Sequence, residues 1–156
     1  MALALVLAAG MANAANADPL FAATLAGTDD KPVALESFRG KPMIVNFLAR
    51  WCAPCRVEIP ELIRIHDTYV RKGLLVIGIG LEDKAESVRD FMKAYEMNYR
   101  VLLARDKGID LMQALGNGKA GLPFTVVVNR RGEIVASKLG AMNKADLEAA
   151  SEAALK

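Results

Sequence analysis

The chain has only two cysteines, separated by two residues in Trp51-Cys52-Ala53-Pro54-Cys55. An apolar, strand-like run, Met43-Ile44-Val45-Asn46-Phe47-Leu48, leads into the pair, and a helical pattern from Arg56 to Lys72 leads out of it. A strand that turns directly into a helix places both sulfurs on the first turn of that helix. There they can close into a disulfide and reopen, which is the chemistry of thiol–disulfide exchange.

Stability gives no reason for the pair. At 156 residues and 53% hydrophobic content the chain can bury a full single-domain core, so it is not a small scaffold held together by disulfides. A loop this short also removes little entropy from the unfolded chain when it closes. The formal charge of +2, with Lys and Arg scattered among Asp and Glu, gives no strong attraction to nucleic acid or to a membrane surface.

The first 17 residues, Met1 to Ala17, are Ala- and Leu-rich and uncharged. Ala12-Asn13-Ala14 and Ala15-Asn16-Ala17 both fit the small-x-small pattern of signal-peptidase cleavage, and Asp18-Pro19 opens polar sequence. The segment reads as a secretory signal or its remnant, with an uncleaved anchor as the other possibility, and residues 18–156 as the folded domain. No Lys or Arg precedes the apolar run, which falls short of the ~20 residues of a spanning helix. It does not end in a Cys that could carry a lipid.

Downstream, Phe21–Thr28 and Lys31–Leu35 read as short strands around a turn at Gly27-Thr28-Asp29-Asp30. A helical turn from Leu35 is stopped by Gly40 and Pro42. Met43–Leu48 and Leu74–Leu81 read as buried strands joined through a helix and therefore parallel, with Gly73 closing that helix. Lys84–Tyr95 has helical spacing of Val88, Phe91, Met92 and Tyr95. Tyr99–Leu103 reads as a strand at a sheet edge and Asp110–Leu115 as a short helix. Phe124–Asn129 and Glu133–Leu139 read as a hairpin around Asn129-Arg130-Arg131-Gly132. Asn143, with Asp146 three residues on, caps a last helix to Leu155. The sum is an α/β fold: a central mixed sheet, helices on both faces, and extra strands at the N-terminus.

Cys52 falls at or beside the helix N-cap, where unpaired amides and the macrodipole favour a thiolate. Such settings lower a thiol pKa from about 8.5 to about 3.5–7.5, so Cys52 is the expected nucleophile. Cys55, one turn further in, is the expected resolving thiol. Pro54 suits a first turn, where no N–H is required. Trp51 is read as a lid over Cys52 rather than a core aromatic. Ile59, Leu62, Ile65 and Tyr69 form the apolar stripe of the helix, and Cys55 and Glu58 project on the same side. A carboxylate in such a stripe either bends out to solvent or accepts the proton of Cys55, its own pKa raised by burial. Pro60 is expected to kink the helix. His66, the one histidine, reads as a half-buried packing residue.

With these residues the chain resembles the thioredoxin superfamily, and within it the extracytoplasmic branch of TlpA, ResA and the cytochrome c maturation reductases (CcmG/DsbE). The resemblance rests on Arg39-Gly40-Lys41-Pro42, Val45-Asn46-Phe47, Trp51-Cys52-Ala53-Pro54-Cys55-Arg56, Glu58, Pro60, Gly121-Leu122-Pro123 and the Asn129–Gly132 turn. It implies a thioredoxin-like fold and a redox-active Cys52–Cys55 disulfide. It also implies a cis Pro123 facing that disulfide, and client contact through Trp51, Ala53, Pro54 and the backbone of Leu122. Asn46 stands where cytoplasmic thioredoxins carry a buried Asp. Leu48 replaces a common aromatic, and Asn117-Gly118-Lys119-Ala120 is slightly longer than usual. The implied role is a periplasmic or otherwise extracytoplasmic reductant of client disulfides, in cytochrome c maturation or copper-site assembly. Its electrons would come from a membrane protein of the CcdA/DsbD type, with no cofactor, metal or nucleic acid. A disulfide oxidant or a thiol-dependent peroxidase would use the same residues. A metal-binding module is disfavoured, because Cys52, Cys55 and a distant His66 fall short of a four-ligand site, and the seven Met are dispersed.

Overall fold

The structure is a computed structural model that describes residues 15–156 except residue 83. The expected signal segment is outside the described residues up to residue 14. Residues 15–17 pack on the body of the fold: the Ala15 carbonyl accepts the Ile134 N–H at 2.8 Å, the Ala17 N–H donates to the Gly132 carbonyl at 2.9 Å, and Ala17 is buried.

One seven-stranded sheet organises the chain, in the order β2-β1-β5-β4-β3-β6-β7. Its strands are β1 (Thr24–Gly27), β2 (Pro32–Ala34), β3 (Met43–Leu48), β4 (Leu75–Gly80), β5 (Arg100–Leu103), β6 (Phe124–Val128) and β7 (Ile134–Leu139). β3, β4 and β5 run parallel, and β1, β2, β6 and β7 add antiparallel pairs on either side. Along β3 the side chains alternate between two cores. Ile44 and Leu48 join the core beneath α2 (Ala53–Tyr69), α3 (Ala85–Ala94) and α5 (Lys144–Leu155). Met43, Val45 and Phe47 join the core beneath α1 (Asp18–Phe21), a 3-10 turn at Leu35–Phe38 and α4 (Gly108–Ala114). Every residue of β3 is buried, which is why its sequence reads as one nearly unbroken apolar run.

Two expectations are corrected. The strand expected over Phe21–Thr28 begins only at Thr24, because Phe21 ends a helical turn over Asp18–Phe21. Pro19 lies in its first turn, and the adjacent Leu20 and Phe21 are both buried, which the two-residue alternation of a half-buried strand forbids. β5 is an inner strand, because β1 folds back to cover the edge it would otherwise expose. The last helix opens on a complete capping box between Asn143 and Asp146. Gly73, at φ 89°, closes the segment after α2 in the left-handed region that glycine favours.

Candidate active site

Sheet register brings the site together. β3 and β6 are antiparallel, with Phe47 opposite Phe124. The end of β3, which leads to Cys52, therefore lies at the same rim of the sheet as the start of β6, which follows Pro123. The Leu122–Pro123 peptide is cis, as the resemblance implies, and Pro123 is buried.

Between β3 and α2 the chain makes one tight turn, closed by the Cys52 N–H donating to the Ala49 carbonyl at 3.1 Å. The turn exposes Trp51, 71% accessible, so it is not a core aromatic. It delivers Cys52 to the N-cap of α2 in an extended conformation. Cys52 and Cys55 form a disulfide with Cα atoms 5.3 Å apart, and the Cys55 N–H points at the Cys52 sulfur at 3.3 Å. No acidic side chain occupies the first turn of α2, so nothing on that turn opposes the positive helix end. Cys52 and Cys55 are both buried. Ala53, Pro54 and Val57 are exposed beside them and, with Trp51, frame the disulfide.

Glu58 does not bend out to solvent; it is 2% accessible. Its Oε1 accepts the Asn46 amide at 2.7 Å, and its Oε2 accepts the Met142 backbone N–H at 2.5 Å. Burial pushes its carboxyl above the usual range, while these two donors and the Lys138 charge pull it partly back. The Asn46 amide also donates to Thr125 Oγ1 at 3.1 Å, linking β3, α2 and β6. Tyr99 is buried nearby, its phenol pushed up by burial and further by the Glu58 charge. His66 is half-buried toward the far end of α2, a packing residue as expected. Among the described residues there is no cluster of His, Cys, Asp or Glu able to hold a metal ion.

Two partners of the site were not read from sequence. Met142 contributes a backbone group, which no side-chain pattern reveals. Glu82 is buried although charged; its signal is its place just after β4, whose C-terminal end lies beside that of β3 in the parallel pair.

A family model described as Redoxin matches residues 13–154. The chain belongs to the Redoxin family. The thiol-disulfide oxidoreductase ResA of Bacillus thuringiensis subsp. konkukian (strain 97-27) is 28% identical over 120 residues, which are 77% of this chain and 67% of the relative. ResA of Bacillus subtilis (strain 168) is 27% identical over 121 residues, 77% of this chain and 65% of the relative. Among solved structures, a thiol:disulfide interchange protein of the thioredoxin family from Chlorobium tepidum TLS superposes with a TM-score of 0.75 at 30% identity, covering 86% of this chain and 93% of that one. A secreted Mycobacterium tuberculosis disulfide oxidoreductase homologous to Escherichia coli DsbE superposes with a TM-score of 0.73 at 21% identity, covering 87% and 98%; that likeness concerns the fold. This Redoxin-family chain is a ResA-like thiol-disulfide oxidoreductase with a thioredoxin-like fold and a Cys52–Cys55 disulfide.

Proposed function

We propose that the protein is an extracytoplasmic reductant of client disulfides, with Cys52 as the attacking sulfur, Cys55 as the resolving sulfur and Glu58 as proton acceptor. The observation that carries the reading is the disulfide at the N-cap of α2, with a buried carboxyl one turn below Cys55 on the same helix face.

In the reduced protein the amides and dipole of α2 favour the Cys52 thiolate. It attacks one sulfur of a client disulfide. A Cys52–client bond forms, the client's S–S bond breaks, and one client thiolate leaves. Cys55 then gives its proton to Glu58 and attacks Cys52. The Cys52–Cys55 bond forms and the second client thiolate departs. The client has gained two electrons, and the protein has become the disulfide seen here. Glu58 suits its part because burial holds its proton affinity above that of an ordinary carboxylate. Trp51, Ala53, Pro54 and the Leu122 backbone would contact the client, with Pro123 holding the Leu122 segment at the same rim. A membrane donor of the CcdA/DsbD type would return the electrons, and clients in cytochrome c maturation or copper-site assembly fit the resemblance to the TlpA/ResA/CcmG branch. Flow in the reducing direction rests on that resemblance; a reduction potential well above those of its clients would make the protein an oxidant instead.

The test is a Cys55→Ser variant of the full chain. It should accumulate mixed disulfides through Cys52, seen as reducible bands on non-reducing gels and identified by mass spectrometry. Absence of trapped species from a folded variant would contradict resolution by Cys55.

A further inference from the structure

The turn that carries Trp51 and Cys52 is held at its first corner by two charged side chains. Glu82, 8% accessible, accepts the Arg50 backbone N–H on Oε1 at 2.7 Å. On the other side of the same residue, the Arg50 carbonyl accepts Arg56 Nη1 at 2.6 Å. The two peptide planes flanking Arg50 are thus fixed from opposite directions, one by the loop after β4 and one by α2. The Arg50 guanidinium adds a bond from Nε to Glu82 Oε2 at 3.2 Å, which orients the carboxylate. Both contacts are charge-assisted, the stronger class of hydrogen bond.

The fixation matters most when the disulfide is open. In the closed state the Cys52–Cys55 bond itself holds Cys52 against α2. Once that bond opens, the contacts of Cys52 that do not depend on it are the 49–52 turn and the Cys55 N–H that points at its sulfur here. A thiolate that drifts from the N-cap loses both its stabilisation and its line of attack.

We propose that Glu82 and Arg56 are positioning residues that clamp the Arg50 peptide groups and so hold the reduced Cys52 sulfur in place for exchange. The proposal rests on Cys52 being the attacking sulfur. It assigns a kinetic role to a buried carboxylate and an arginine outside the Cys52–Cys55–Glu58 set.

The experiment measures the rate at which the reduced full-length protein reacts with oxidised glutathione, for the wild type, Glu82→Ala, Glu82→Gln, Arg56→Ala and Cys52→Ser, each with its melting temperature. Gln keeps an acceptor for the Arg50 N–H and drops the charge, so it separates holding from electrostatics. The expected result is about a tenfold or greater loss in Glu82→Ala and Arg56→Ala, as a small misplacement of reacting groups produces, with Glu82→Gln restored to within about threefold of the wild type. Equal rates in Glu82→Ala, Arg56→Ala and the wild type would overturn the clamp, as would equal losses in Glu82→Ala and Glu82→Gln. Should Glu82→Ala not fold, the partly exposed Arg56→Ala decides alone: loss supports the clamp and a wild-type rate overturns it. A Cys52→Ser variant that still reacts would overturn the reading of Cys52 instead, and one that is inert leaves the clamp result to stand by itself.

Discussion

At the scale of single residues, Glu58 combines a packing position with a titratable group, and pH separates the two roles. Burial raises its folded pKa above the ordinary value of 4.5. A raised carboxyl contributes stability that is fully present below the unfolded pKa and is lost as pH rises through the folded one. Wild-type stability should therefore fall relative to Glu58→Gln as pH climbs from about 4.5 toward neutrality, with groups common to both proteins cancelling in the difference. Paired thermal melts across that window check this, and a constant difference would refute it. In activity, Glu58→Gln should slow client reduction and displace its pH profile. An unchanged profile would leave Glu58 as a packing residue only. The sequence placed the glutamate on the helix stripe but left open whether it bends out to solvent; only the structure shows it buried. The sequence also hid the Met142 amide and the Glu82 carboxylate, because one is a backbone group and the other reaches the site only through parallel strand pairing.

At the scale of elements, α2 carries the chemistry at one end and the core along its flank. Ile59, Leu62 and Ile65 are fully buried against the sheet, so Leu62→Ala should cost about 2–5 kcal/mol through lost burial and a cavity. Urea titration of the oxidised protein measures this, and a loss below about 1 kcal/mol would contradict tight packing at that position. The elements most legible in the sequence were those whose burial follows a clean period: β3 and β4 as apolar runs, α2 as a stripe, and α5 by its Asn143–Asp146 box. Those misjudged were set by neighbours. Tyr99–Leu103 reads as an edge because a short strand shows no partner of its own, yet β1 covers it. Phe21 reads as strand because an isolated aromatic carries no period, yet Asp18-Pro19 turns the chain into a helical turn.

At the scale of the whole molecule, the N-terminal end of the described chain belongs to the fold. Ala15 and Ala17 bond to the β6–β7 hairpin through their backbones. A protein starting at Asp18 should melt below one starting at Ala15, by an amount corresponding to roughly 1 kcal/mol for each of these hydrogen bonds. Equal melting temperatures would show that the contacts contribute nothing. Under the proposed extracytoplasmic reading with a cleaved leader, only cleavage after Ala14, of the two small-x-small motifs, preserves the contacts, so N-terminal sequencing should begin at Ala15. A start at Asp18 would contradict that choice. The topology was largely readable because parallel and antiparallel connections follow from loop lengths and hairpin turns. The meeting of the cis Pro123 loop with the end of β3 was readable only through resemblance, since it depends on which strand lies next to which.

The most direct measurement of the central claim is the ionisation of Cys52 in the reduced protein, read from the pH dependence of its alkylation by iodoacetamide. An N-cap thiol on a helix whose first turn carries no acidic residue should titrate well below the ordinary value of about 8.5, within the range of about 3.5–7.5. A midpoint at or above the ordinary value would contradict the account.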